Sequence, residues 1–181
     1  MKPASRILYI GQTWKGSTCR YRMRALRDLG FQVVEFDTSD YTRQKNRWVG
    51  SIAHRWNVGL PIIQLNNDLD AFIKNGIGYF DFVWVDKGKW VYPELLIKIR
   101  QTTKAKLIHY TPDSQIFFNR SRLFRRSLYL YDLMITTKPF EVEKYKILGA
   151  NEVRLVHQSY ERSVLGPLST TPEQHLQFSA D

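Results

Sequence analysis

A chain of 181 residues, 43% hydrophobic and 14% aromatic, is long enough to bury a full core and falls within the usual span of one domain. Its single cysteine, Cys19, excludes an internal disulfide and, with no His or Cys cluster nearby, a cysteine-based metal site, and this favours a reducing, cytoplasmic setting. The net charge of +10 is uneven, with 11 basic and 4 acidic side chains over residues 1–60 against 1 and 3 over 161–181. Such a field suits nucleic acid, an anionic membrane face or an acidic ligand, and the absence of zinc-finger spacing or an aromatic RNA-binding signature argues against the first. No apolar run approaches the roughly 18 residues of a membrane-spanning helix. The four-residue run at 7–10 is also too short for a signal-peptide core.

Residues 7–10 (ILYI) read as a buried strand, followed by a polar loop over 11–17 and then a helix. Ser17 or Thr18 caps that helix, Tyr21, Ala25, Leu26 and Leu29 recur at helical spacing, and Gly30 stops it. The free N–H groups of its first turn point at the loop and suit an anion or a sugar hydroxyl. Gly11, Gly16, Ser17 and Thr18 imitate the frame of a nucleotide phosphate loop, and FVWVD at 82–86 imitates the aspartate of its magnesium site. The required lysine is missing, because Ser17 stands where it should be and Lys15 precedes Gly16.

A second strand spans 31–36, ending in Asp37, which reads as a helix cap because the three-glycine dinucleotide fingerprint is lacking. Over 41–60, Trp48, Ile52 and Trp56 with Val49 and Ala53 make one greasy helical face, and Arg43, Lys45, Arg47 and Arg55 supply the polar ones. The pattern suits a helix packed on its own sheet, and it also suits a basic amphipathic helix at an anionic membrane surface. Pro61 opens another helix that Gly76 and Gly78 follow. Strands at 80–85, 106–110, 132–136 and 153–157 alternate with helices at 93–101, 120–131 and 139–148, the last stopped by Gly149.

Strands alternating with helices predict an α/β fold, a Rossmann-like parallel sheet of about six strands covered on both faces. Ligands of such sheets bind beyond the carboxyl ends of the strands. The informative segments are therefore 11–17, 86–90, 111–119, Thr137 with Lys138, and 157–160.

ILYIG with its arginine-rich helix, FDFVWVDKG, LIHYTPDSQ, YDLMITTKPFEVEKYKILGA and VRLVHQSY stand in an order that resembles the amino-terminal half of a two-Rossmann (GT-B) glycosyltransferase, nearest the CgeB-like group. The resemblance implies that residues 1–160 are an acceptor-side domain and that 161–181 are a linker into a carboxyl-terminal domain that binds the nucleotide-sugar donor. It implies a sugar or other hydroxylated acceptor, no cofactor within this chain, and a chain inactive alone. Asp113, then Asp86, then His109 are its candidate catalytic bases, since an inverting transfer needs a group to take the acceptor proton. Gly11, Trp14, Gly16 and Thr18 are carried over as the acceptor-side loop. Lys87 and Thr137 are further acceptor contacts, and His157 and Gln158 mark the passage towards the second domain. Each base has a plain structural alternative: Asp113 as a turn cap, Asp86 paired with Lys87 or Lys89, and His109 as a core histidine. A phosphate-loop nucleotide-binding module and a non-catalytic docking module, peripheral to the membrane through 41–60, are the rival readings.

Overall fold

Six strands pair into one parallel sheet whose inner strands at 6–11, 82–86 and 106–111 are the most buried, as a sheet covered on both faces requires. The computed structural model describes residues 4–43, 47–75, 79–158 and 171–172. The strands are β1 (Arg6–Gly11), β2 (Gln32–Asp37), β3 (Phe82–Asp86), β4 (Lys106–Thr111), β5 (Leu133–Thr136) and β6 (Val153–Leu155). Their order is β2-β1-β3-β4-β5-β6, with Leu8 facing Val34 and Val83, Val83 facing Leu107, and His109 facing Met134. The α/β expectation is correct. From β1 the chain crosses to β2 on one side and returns past β1 to β3 on the other, so the gap between the ends of β1 and β3 is the topological switch point.

Right-handed crossovers in opposite directions place their helices on opposite faces. Helix α1 (Thr18–Asp28) is capped by Ser17, whose hydroxyl accepts from the Cys19 N–H at 3.1 Å. Cys19 and Met23 of this helix pack on Tyr9 alongside Val33 and Trp84. The larger core lies on the other face. There α4 (Leu60–Lys74), α5 (Pro93–Thr103), α6 (Arg122–Ser127) and α7 (Val142–Ile147) bring Leu65, Leu96, Phe124 and Tyr145 against Leu8, Val85, Leu107 and Met134.

Several expected boundaries shift for local reasons. Residues 41–60 are not one helix: α2 (Ser39–Thr42) precedes α3 (Arg47–Trp56), and only Ala53 of the latter is fully buried among its described side chains, while Trp48 and Trp56 are 82% and 61% exposed. The expected packing of both tryptophans on the sheet is therefore corrected. The segment expected as a helix over 120–131 starts at Arg122, because the Ser121 hydroxyl accepts from the Phe124 N–H, and it tightens into a 3-10 turn at Leu128–Leu130. Pro139–Glu141 is likewise a 3-10 turn ahead of α7. Lys45, Gly76, Gly78, Tyr160, the side chains of Arg47, Val49 and Ile52, and the linker positions 161–170 and 173–181 lie outside the described residues.

The centre of the sheet is tied by one buried carboxylate. Asp86 closes β3 with a fully buried side chain and accepts from Arg22 Nε at 2.7 Å, Arg22 Nη2 at 3.0 Å and the Tyr9 hydroxyl at 2.5 Å. The Arg22 guanidinium also lies 4.3 Å over the Tyr110 ring, so α1, β1, β3 and β4 meet at this point. Removing one partner from a buried pair leaves the other charge unsolvated. Asp86→Ala is expected to cost on the order of 3 kcal/mol in urea unfolding, against about 1 kcal/mol for Tyr9→Phe, which removes the hydroxyl shared between Asp86 and the Cys19 carbonyl and leaves the ion pair in place. Equal losses for the two variants would show that the ion pair does not hold the sheet together.

Candidate functional site

The loop leaving β3 crosses the switch point in an uncommon conformation. Lys87 has φ +66° and Gly88 φ +45°. A side chain at Gly88 would place its Cβ 2.5 Å from Val85 Cγ1, so only glycine fits there. Left-handed backbone at Lys87 is stabilised from outside. Its N–H donates to the Tyr110 carbonyl at 2.8 Å, and its carbonyl accepts from His109 Nε2 at 3.2 Å and from Gln115 Nε2. The Lys89 carbonyl accepts from the Ser121 hydroxyl at 2.6 Å. Buried Asn66 also holds this loop: its Nδ2 donates to the Trp90 carbonyl, as well as to the Ile62 carbonyl in its own helix, and its Oδ1 accepts from the Tyr92 N–H. Four side chains from α4, β4 and the next loop thus fix this backbone before any ligand arrives.

The loop leaving β4 is fixed in the same manner. Thr111 Oγ1 accepts from the Asp113 N–H and donates to the Asp113 carbonyl, a local turn directly after Pro112. Glu141, wholly buried, accepts from the Ser114 hydroxyl at 2.6 Å and the Ile116 N–H at 3.3 Å. That anchor sets the positions of Asp113 and Gln115 on either side of Ser114.

Between these loops lies a cleft of about 190 Å³ lined by Ile10, Gln12, Thr38, Thr42, Leu65, residues 86–91, Asp113, Gln115 and Asn119. Across its mouth Lys87 Nζ stands 2.8 Å from Asp113 Oδ2, both side chains remaining partly in solvent. Gln115 is 2% exposed, and its Oε1 has no hydrogen-bond partner. An acceptor buried without a partner is costly, and a ligand donor would relieve it.

Of the residues named from sequence, Asp86, Lys87 and Asp113 meet at this cleft. Gly11 lies just behind it, where a Cβ would stand 3.0 Å from Asp86 Cβ. Trp14, Gly16 and Thr18 lie outside its wall. Trp14 is covered by Arg43 at 4.7 Å, Gly16 packs on the Trp14 ring, and Thr18 is an exposed residue of the first turn of α1. Thr137 donates to the Pro112 carbonyl at 3.1 Å and so braces the β4 loop. His157 and Gln158 are exposed beyond β6, four strand spacings or about 19 Å from β1. Sequence reading missed Thr38, Thr42 and Asn66 at the site and Glu141 behind it. The first two follow a strand end, which is a usable signal, whereas Asn66 and Glu141 sit inside helical segments where a polar residue normally faces water.

The three candidate bases differ sharply in environment. Asp86 has both oxygens engaged by Arg22 and Tyr9. Burial works against the Arg22 charge, yet the adjacent Asp86 raises its pKa overall, while burial and Asp86 together push the Tyr9 phenol far above its usual range. This engagement also removes Asp86 from the magnesium role that the phosphate-loop reading gave it. His109 is fully buried within β4, between Phe124 and Tyr131. Because a carbonyl only accepts, its Nε2 carries the proton and Nδ1 keeps an unpartnered lone pair. Asp113 alone of the three is partly open to solvent at the cleft.

No family model matches the chain, and no curated protein matches it. Among solved structures it is similar to a pyridoxal kinase from Entamoeba histolytica, at 12% identity and a TM-score of 0.48, over 79% of this chain and 54% of that one, so it spans about half that protein's length. A likeness of that degree assigns neither a family nor an activity to this chain. The expectation of a glycosyltransferase acceptor half is corrected: the similar structure is named as a kinase. Of the three alternative bases, Asp86 and His109 are occupied in packing the sheet and a loop, whereas the first candidate, Asp113, is partly open at the cleft.

Burial pushes the His109 pKa down from 6.5 to about 4. Between those values the unfolded chain takes up a proton that the folded chain refuses, so stability falls as pH drops from 6.5 towards 4 and this contribution is flat outside that window. The loss is on the order of 3 kcal/mol. His109→Gln keeps a donor for the Lys87 carbonyl and cannot titrate, so its urea-unfolding free energy should fall less over that window than the wild type's. Parallel profiles would show that His109 does not titrate in this way.

Proposed function

We propose that the chain is a ligand-binding α/β domain whose cleft takes a small hydroxylated molecule, held between the β3 and β4 loops. The observation that carries this reading is Gln115, a buried residue of the cleft wall that is fixed through its nitrogen to the carbonyl of the left-handed Lys87 and whose carbonyl oxygen has no partner. Such an oxygen accepts from an O–H or N–H donor. At the mouth, Lys87 and Asp113 offer a cationic donor and an anionic acceptor side by side, and the walls carry Gln12, Thr38, Thr42 and Asn119. A hydroxyl both donates and accepts, so a molecule bearing several suits this mixture better than a purely anionic or purely apolar one.

Size narrows the class further. A volume of about 190 Å³ suits a sugar-sized metabolite. Ile10, Leu65 and Val91 supply an apolar part of the wall for carbon faces of the ligand. Since the loops are already fixed by side chains from elsewhere in the fold, little ordering entropy remains to oppose binding.

The test is a thermal-shift and calorimetric screen of monosaccharides, their phosphates and nucleosides. A hydroxylated member of the panel should raise Tm, as any ligand that binds only the folded state must. Gln115→Leu, which leaves no acceptor, should weaken that ligand by about tenfold or more while preserving the fold. A panel with no stabilising member, or a ligand indifferent to Gln115→Leu, would overturn the proposal.

A further inference from the structure

A second concavity, of about 400 Å³, opens between α6 and α7, away from the cleft. Its apolar wall is Ile116, Phe117, Phe124, Leu128, Ile147 and Leu148, and its charged members are Arg120, Arg125 and Lys144. No acidic side chain lines it, and no ion pair engages these three cations among the described residues. Lys144 Nζ lies 4.1 Å over the Phe117 ring, and Arg120 Nε donates to the Ile116 and Phe117 carbonyls, so charge and aromatic surface are interleaved.

Large apolar side chains stand out around the groove. Phe118 is 83% and Ile147 82% exposed, and Phe140 beside Phe117 is also largely in solvent. The surface continues. Asn57 Nδ2 donates to the Arg120 carbonyl at 3.4 Å, bringing the junction of α3 and α4, with exposed Trp56, Val58 and Leu60, up to the same loop. A water-facing surface does not normally gather so many exposed aromatic and branched side chains with unpaired cations unless something covers them.

We propose that this face is a docking surface for a lipid bilayer carrying anionic headgroups. The charge argues for that occupant: the groove's cations have no carboxylate partners among the described residues and are complementary to lipid phosphate and carboxylate groups. The protruding Phe118, Ile147 and Trp56 are of the types that enter the boundary between headgroups and acyl chains. The groove combines apolar and cationic lining, as an anionic amphiphile requires. This reading does not depend on the cleft's ligand.

The test uses the full chain and vesicles of phosphatidylcholine with and without phosphatidylserine, read by co-sedimentation. The protein should partition onto the phosphatidylserine vesicles, less so in high salt, and only weakly onto phosphatidylcholine alone. Arg125→Ala with Lys144→Ala should lower that partitioning about tenfold or more. Phe118→Ser with Ile147→Ser should lower it as well, while the surface location of these changes leaves Tm unaltered. Absence of binding to anionic vesicles, or binding unchanged in both double variants at unchanged Tm, would overturn the proposal.

Discussion

The carboxylate of Asp86 sits at the end of the central strand, out of water, and the fold arranges three groups around it. A buried carboxylate needs a cation and hydrogen bonds to offset its desolvation. Arg22 comes from the first helix, the Tyr9 hydroxyl from the neighbouring strand, and Tyr110 underlies the guanidinium from the other side. The short helix α1, the first supersecondary unit and the switch point are thereby locked to one another. The next residue, Lys87, leaves that lock in a left-handed turn, so the geometry of the cleft begins where the ion pair ends.

Beyond that turn the carbonyls of the β3 loop are taken by His109, Gln115, Ser121 and Asn66. Each of these side chains costs something to bury, and each recovers it through a hydrogen bond to backbone that would otherwise be unpaired. Gln115 differs from the other three in belonging to the cleft wall while only its nitrogen is satisfied. That oxygen is the feature on which the proposed ligand site rests. Buried Glu141 plays the supporting part for the second loop, without touching the cleft.

Much of this is legible in the residues. Apolar runs of four to six locate all six strands, and the rule that ligands lie beyond strand ends leads to the segments 86–90 and 111–119, which form the two walls. Glycines and prolines place most helix limits. The failures have physical causes. Asp86 reads as a loop acid beside two lysines, yet the side chain turns to an arginine 64 positions earlier, a pairing with no local signature. The aromatic periodicity over 41–60 fits a buried face as well as an exposed one, and Trp48 and Trp56 turn outwards. His109 alternates with apolar neighbours in β4, so its burial is foreseeable, but its bond to the Lys87 carbonyl depends on a left-handed residue that no pattern announces. A chain-order likeness to an enzyme family reflects the α/β alternation, which many unrelated activities share.

The most direct test of the cleft as a ligand site is amide chemical-shift mapping of the isotopically labelled chain during titration with the hydroxylated ligand that binds it. Perturbations should concentrate at residues 86–91 and 113–119, including the Gln115 side-chain amide, with the amides beyond β6 at His157 and Gln158 unmoved. Shifts confined to the first turn of α1 and the 11–17 loop, or to the end of β6, would contradict a site between the β3 and β4 loops.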